Sequence, residues 1–142
     1  MELDRIDDVD LESIPLFAGL ASQDRARAAT VARRLEWDVG YIVVKEGEFA
    51  FDFYAIEQGR AEVRQGGQAI AMLSAGDFFG ELGVVPHDGH WSRRRSASVV
   101  VTAPTEAVAI AGGDMRRLAE DIPKLGDALR IAAAARSQPG NS

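Results

Sequence analysis

Residues 41–76 read YIVVKEGEFAFDFYAIEQGRAEVRQGGQAIAMLSAG, and this stretch decides the fold. Short runs rich in Val, Ile, Tyr and Phe are separated by glycines at 47, 59, 66, 67 and 76. β-Branched and aromatic runs of this length suit strands, and glycine between them supplies the positive φ that tight turns require. The same grammar continues in SASVVVTAP (96–104) and TEAVAIAGG (105–113). In this reading the strands break at Gly59 and after Pro104. Alternating Phe51 and Phe53 fill one strand face as core. Regular short strands with turn signals between them predict an all-β sandwich or barrel from Leu35 to Ala111.

Helical patterns flank the strands. In IPLFAGLASQDRARAATVARRLEW (14–37), Pro15 ends any earlier helix and Leu16, Phe17 and Leu20 form an apolar knot. Ser22 is a candidate N-cap. Ala26, Ala29, Val31 and Ala32 alternate with Arg25, Arg27, Arg33 and Arg34, which predicts a short amphipathic helix. Trp37 then precedes a strand and packs. Downstream, Asp114 is placed to cap DMRRLAEDI, with Met115, Leu118 and Ile122 on one face. Pro123 suits the first turn of a second helix running to Arg136, in which Gly126 costs about 1 kcal/mol relative to Ala. The expected organisation is an acidic, solvated lead-in at 1–13, one domain at 14–136 and a tail at 137–142. The fold class is mainly β with flanking helices, one N-terminal and two C-terminal.

Composition excludes many functions. The 142 residues are 46% hydrophobic and 27% charged, a globular balance of single-domain size. There is no cysteine, which excludes disulfides, thiolate metal sites and thiol nucleophiles. The formal charge of −6 argues against a nucleic-acid partner. No run of about 20 apolar residues is present, so no membrane helix is expected. The acidic start, MELDRIDDVDLE, is unlike a signal or transit peptide, and a cytoplasmic location is expected. No nucleophile elbow, zinc-protease motif or Walker loop occurs, so the chain reads as non-enzymatic.

The segment GDFFGELGVVPHDGHWSRRR (76–95) does not alternate and carries the chemistry. Gly80 and Gly83 allow backbone to approach a ligand closely. Glu81 is an acceptor for hydroxyl groups, and Arg95 offers a planar donor fork suited to phosphate, with the Ser96 hydroxyl beside it. Phosphate donors plus one carboxylate acceptor describe a ligand that is part anion and part polyol, such as a sugar phosphate or nucleotide.

Through these residues the chain resembles the cyclic nucleotide-binding domain family of the catabolite activator protein, protein kinase A regulatory subunits and cyclic-nucleotide-gated channels. The likeness runs from about Leu16 to Arg136. PLFAGL resembles the family's helical opening, and GYIVVKEGEFAFDFYAIEQGRAEV its glycine-spaced strands. FFGELG with RSASV resembles its phosphate-binding cassette. The resemblance implies a β-roll (a double-stranded β-helix or jelly roll) with a short cassette helix. It implies that Glu81 holds the ribose 2′-hydroxyl, Arg95 pairs with the cyclic phosphate, Gly80 and Leu82 offer backbone groups, and Ser96 touches phosphate or base. It further implies a lid formed by the last helix, with Leu125, Leu129 and Ile131 over the base and Met72 lining the nucleoside pocket. The expected ligand is cAMP, with cGMP compatible, and no catalytic cofactor. Gly112, Gly113 and the Ile122–Pro123 step are the hinge positions. Output is expected to act on a protein partner in trans, unless the chain is a fragment of a larger protein, and the Ala132–Ala135 run is compatible with a homodimer.

One departure from the family pattern stands out. VVPHDGHWSRR between Glu81 and Arg95 is longer than the usual cassette, with an inserted loop at 86–92. The Arg–Ser–Ala–Ser–Val frame favours Arg95 among the consecutive Arg93, Arg94 and Arg95, and on a strand Arg94 points opposite to its neighbours. Two other readings stand beside the sensor. In one, the insertion has abolished ligand binding and Trp91 with Arg93–Arg95 forms an adaptor surface. In the other, His87, Asp88 and His90 bind a metal as in cupins, although two histidines in one loop are fewer than such sites draw from separate strands.

Overall fold

In a computed structural model of the chain, residues 2–5, 11–48, 52–80 and 97–137 are described. Their order is β1 (Glu2–Arg5), a 3-10 turn (Leu11–Ser13), α1 (Pro15–Ala18), α2 (Ser22–Ala29), β2 (Ala32–Trp37), β3 (Ile42–Val44), β4 (Phe53–Gln65), β5 (Gln68–Ser74), β6 (Phe78–Phe79), β7 (Ser98–Ile110), α3 (Gly112–Asp121) and α4 (Pro123–Ser137). The long antiparallel strands β4 and β7 form the spine. On the outer side of β7, β2 pairs with residues 105–110 and β3 with residues 99–100. On the outer side of β4, β6 pairs with residues 54–55 and β5 with residues 60–65. β1 pairs with β2. Among the described residues the sheet is antiparallel throughout and is not closed.

Gly59 does not end a strand. It sits inside β4 at φ 108°, with register shifts on both sides. A Cβ there would lie 2.3 Å from Thr105 Oγ1 and 2.6 Å from Thr105 Cα. Only glycine combines this conformation with so close a neighbour. Thr105, 3% exposed, accepts a hydrogen bond from the Arg60 N–H at 3.2 Å and donates to the Ala103 carbonyl at 2.8 Å. The two strands therefore bend together, and Pro104 lies within β7 rather than between strands.

Three other expectations change. The N-terminal helix stops at Ala29, and Ala32–Trp37 forms β2, because Leu35 and Trp37, each 1% exposed, alternate with Arg34 and Glu36. Trp37 is thus the last residue of a strand rather than a residue before one. Helix caps fall one or more residues earlier than read: Ala21 precedes α2 and Ala111 precedes α3. Ser22 and Asp114 lie in first turns, and Asp114 pairs with Arg117. The lead-in is not wholly solvated. Glu2–Arg5 pairs with β2, and Leu11 is 2% exposed. Phe51 lies outside the described residues, while Phe53 is fully buried.

Alternate residues of the spine feed two cores. Phe53, Ala55, Val108 and Ile110 point into a helical core with Phe17, Met115, Leu118, Leu125 and Leu129. Ile56, Ala61, Ala107 and Ala109 join Leu35, Trp37, Leu73 and Phe79 in a second core inside the curved sheet. Pro123 begins α4, as read from the sequence. Gly126 on that helix packs so closely on α3 that a Cβ would stand 2.4 Å from the Ala119 carbonyl oxygen.

Candidate functional site

Strand β6 fixes the entry to the candidate segment. Its register sets Tyr54 opposite Phe79 and Ala55 opposite Phe78. Phe78 turns to the helical core, its ring 5.5 Å from Phe53. Phe79 turns to the other core, stacked on Tyr54 at 5.1 Å and 6.4 Å from Trp37. Gly80 follows, buried, with φ 97°, a conformation that needs glycine. Glu81, Leu82, Arg95 and Ser96 lie outside the described residues, as do His87, Asp88, His90, Trp91, Arg93 and Arg94.

The chain re-enters at the other end of the spine. Ser98 is opposite Arg64, and its Oγ accepts a hydrogen bond from the Glu46 N–H at 2.9 Å. Glu46 Oε1 accepts from the Gly66 N–H at 3.0 Å in the β4–β5 turn. Gly66 and Gly67 have φ of 60° and 82°, the pair of left-handed residues that a two-residue hairpin requires. Phe79, just before Gly80, is opposite Tyr54 and Ser98 is opposite Arg64, so the two flanks are held ten residues apart on a β4 that bends at Gly59.

Between these anchors the concave face of the sheet is apolar. One cross-strand row runs Ala71, Val63, Val99, Val44, and the next runs Leu73, Ala61, Val101. Val63 is half-buried and Ala71 exposed, so this face is accessible at the β5 end. The rest of the two rows, Val99, Val44, Leu73, Ala61 and Val101, is buried in the second core. Sequence reasoning did not single out this row, although the alternation in AEVRQ and QAIAML carried the signal.

The structure does not bring the three proposed pocket or lid residues together. Met72 is opposite Glu62 on the outer face and 52% exposed. Leu129 is fully buried in the helical core. Ile131 is 72% exposed, because two residues of helix are about 200° of rotation. Leu125 is also committed to the core. The Ala132–Ala135 run is likewise divided, with Ala133 fully buried and Ala134 and Ala135 exposed.

Charge at the sheet's other edge is specific. Trp37 Nε1 donates to Glu2 Oε2 at 2.8 Å, and the Tyr41 hydroxyl is also bonded to Glu2. Burial, and then the charge and hydrogen bond of Glu2, push the Tyr41 hydroxyl above its ordinary pKa. Among the described residues no group of three His, Cys, Asp or Glu is placed to hold a metal, and no helix is long and apolar enough to cross a membrane.

Comparison with known proteins places this geometry. A family model described as the cyclic nucleotide-binding domain matches residues 34–121. A cAMP-dependent protein kinase regulatory subunit from Pyricularia oryzae is 32% identical over 110 residues, covering 76% of this chain and 27% of that protein. The corresponding subunit of Schizosaccharomyces pombe is 34% identical over 76 residues, covering 53% of this chain and 18% of that protein. The chain therefore spans about a quarter or less of these relatives. Among solved structures, the regulatory domain of Toxoplasma gondii PKA, crystallised with cAMP, superposes with a TM-score of 0.72 at 24% identity, over 87% of this chain and 46% of that one. A protein of Geobacter metallireducens described as cyclic nucleotide-binding superposes with a TM-score of 0.74 at 22% identity, over 92% of this chain and 96% of that one. These likenesses show the fold, a β-roll with flanking helices.

Proposed function

The chain belongs to the cyclic nucleotide-binding domain family, and from that premise we propose that residues 14–136 form a non-enzymatic module that binds cAMP and regulates a protein partner in trans. The carrying observation is that the matched span, 34–121, contains both FFGELG and RSASV, while β6 and β7 anchor their flanks. Glu81 takes the ribose 2′-hydroxyl. Arg95 takes the phosphate, with Gly80, Leu82 and Ser96 completing the polar contacts. An anion bound by a chain of net charge −6 needs such local donors. The accessible side chains of Ala71 and Val63 on the concave face offer the base an apolar surface. The cAMP relatives and the cAMP-bound regulatory domain of Toxoplasma gondii PKA support the choice of ligand.

Signal output runs through the hinge positions Gly112, Gly113 and Ile122–Pro123. Of Met72, Leu129 and Ile131, the proposal retains Ile131, which is exposed on α4. A cytoplasmic location and the absence of a catalytic cofactor belong to the same proposal.

Thermal unfolding with cAMP and with cGMP tests it, beside Arg95→Ala. Ligand at about 100 times its Kd adds about 2.7 kcal/mol, a rise of several degrees in a domain this size. Arg95→Ala should abolish most of that rise. If neither nucleotide moves the melting temperature at millimolar concentration, the sensor reading fails. The longer cassette, VVPHDGHWSRR, then favours the adaptor reading, with Trp91 and Arg93–Arg95 as contact surface.

A further inference from the structure

Strand β5 reads QAIAMLS and contains neither a charged residue nor a proline. Among the described residues it pairs with β4 alone. All of it except Leu73 is exposed, including Ile70 at 36% and Met72 at 52%. A strand edge in this state is a template for another strand unless charge, proline or distortion blunts it. The opposite end of the sheet is blunted: β1 is ELDR, three charges in four residues. The β5 end is not. Its only distortion is a register shift that leaves an extra residue at Ile70, so Ala71–Ser74 stays regular.

An outward row reaches this edge. Met72 is opposite Glu62, Glu62 opposite Val100, and Val100 opposite Ile42, which is 44% exposed. Glu62, its one charge, is paired with Arg64 at 3.4 Å.

We infer that β5 is a self-association edge. Two copies of the chain pair their β5 strands antiparallel about a two-fold axis near Met72, joining two sheets into one. An antiparallel strand is self-complementary under a two-fold axis. Copies of a chain carrying −6 repel one another over most approaches, but β5 brings no charges face to face. An uncharged edge also gives a charged foreign peptide nothing to recognise. With only Ala71–Ser74 regular, the contact is small, and the dimer is a reversible one.

The inference does not depend on nucleotide binding, and its test uses the full chain without nucleotide. Sedimentation from micromolar to millimolar concentration should show a monomer–dimer equilibrium. The chain has no cysteine, so Met72→Cys permits one intermolecular disulfide, and directly opposite antiparallel residues bring their Cβ atoms close to the separation a disulfide needs. Oxidation should cross-link Met72→Cys and not Ile131→Cys, although position 131 on α4 is the more exposed of the two. Met72→Lys faces a charge with its own copy and should raise the dimer dissociation constant about tenfold or more, with an unchanged melt because the site is exposed. A monomer through millimolar concentration, preferential cross-linking at position 131, or a dimer indifferent to Met72→Lys would each overturn the inference.

Discussion

Gly126 lies inside α4, where replacing glycine by alanine ordinarily stabilises a helix by about 1 kcal/mol. The packing predicts the opposite sign. An added Cβ would stand 2.4 Å from the Ala119 carbonyl oxygen, and that neighbour is backbone, which cannot swing aside. Restoring a C···O contact of about 3.3 Å requires α4 to move about 0.9 Å off α3. Leu125, Leu129 and Ala133, all fully buried, move with it. Overpacking of this kind costs about 1–3 kcal/mol, and a rigid neighbour places it at the upper end. After subtracting the propensity gain, Gly126→Ala should destabilise by about 2 kcal/mol, or roughly 4–8 °C in melting temperature. Gly113→Ala is the companion variant: nothing lies within 4 Å of its added Cβ, and a small rise is expected. Calorimetry on both variants decides the matter. If Gly126→Ala also raises the melting temperature, helix propensity governs the site and the close α3–α4 approach is not what selects glycine there.

Two further outcomes follow from single contacts. Gly59→Ala forces a φ of 108° on an L-residue and drives its Cβ into Thr105, so the strain and the lost Thr105 hydrogen bonds together should cost about 4 kcal/mol of stability, seen as a lower urea unfolding midpoint; an unchanged midpoint would mean that β4 does not bend there as described. Tyr41 should ionise above the ordinary tyrosine value, and Glu2→Gln should lower it toward that value while burial still holds it up; with Tyr54 the only other tyrosine, tyrosinate absorbance in a Tyr54→Phe background isolates Tyr41, and an unmoved titration would remove Glu2 as a cause. Because the folded value is the higher one, Tyr41 contributes stability that is fully present below about pH 10 and is lost as pH rises through the folded value.

The glycines that punctuate residues 40–76 were legible because turn chemistry is local: Gly40, Gly47, Gly66, Gly67 and Gly76 all have positive φ. Gly59 was misread for the same reason. A bend within a strand and a turn between strands both select glycine, and only the partner strand distinguishes them. Here that partner supplies Thr105 at 2.3 Å, a contact spanning 46 positions of sequence. Strand β2 was hidden by its arginines. ARRLEW carries the helix-like charge pattern of the preceding turn, and its period-two signal consists of Leu35 and Trp37 alone. The same limit applies to Leu129 and Ile131. Composition marks both as apolar, yet the helical core takes one and leaves the other in solvent. At the candidate site, FFGELG and RSASV are read from residue type alone, and Glu81, Leu82, Arg95 and Ser96 lie outside the described residues. The concave valine and alanine row is generic in composition and acquires meaning only through register.

The two phenylalanines before Gly80 connect these levels. Because strand side chains alternate, Phe78 and Phe79 enter different cores, one built on helices and one built on the sheet. From Phe78 the contacts run to Phe53 at 5.5 Å and from Phe53 to Phe17 at 6.5 Å, in the core that also holds Met115, Leu118, Leu125 and Leu129 of α3 and α4. From Phe79 they run to Tyr54 and Trp37, beneath the strands that carry the concave row. A ligand that displaces Gly80 must therefore repack one core, strain the other, or both. Interiors packed at crystal density respond to such a demand by switching between discrete arrangements rather than by deforming smoothly. Under the proposed function, the dipeptide Phe78–Phe79 is where occupancy of the cassette would be mechanically joined to the position of the C-terminal helices, and neither phenylalanine needs to touch the ligand for that to hold.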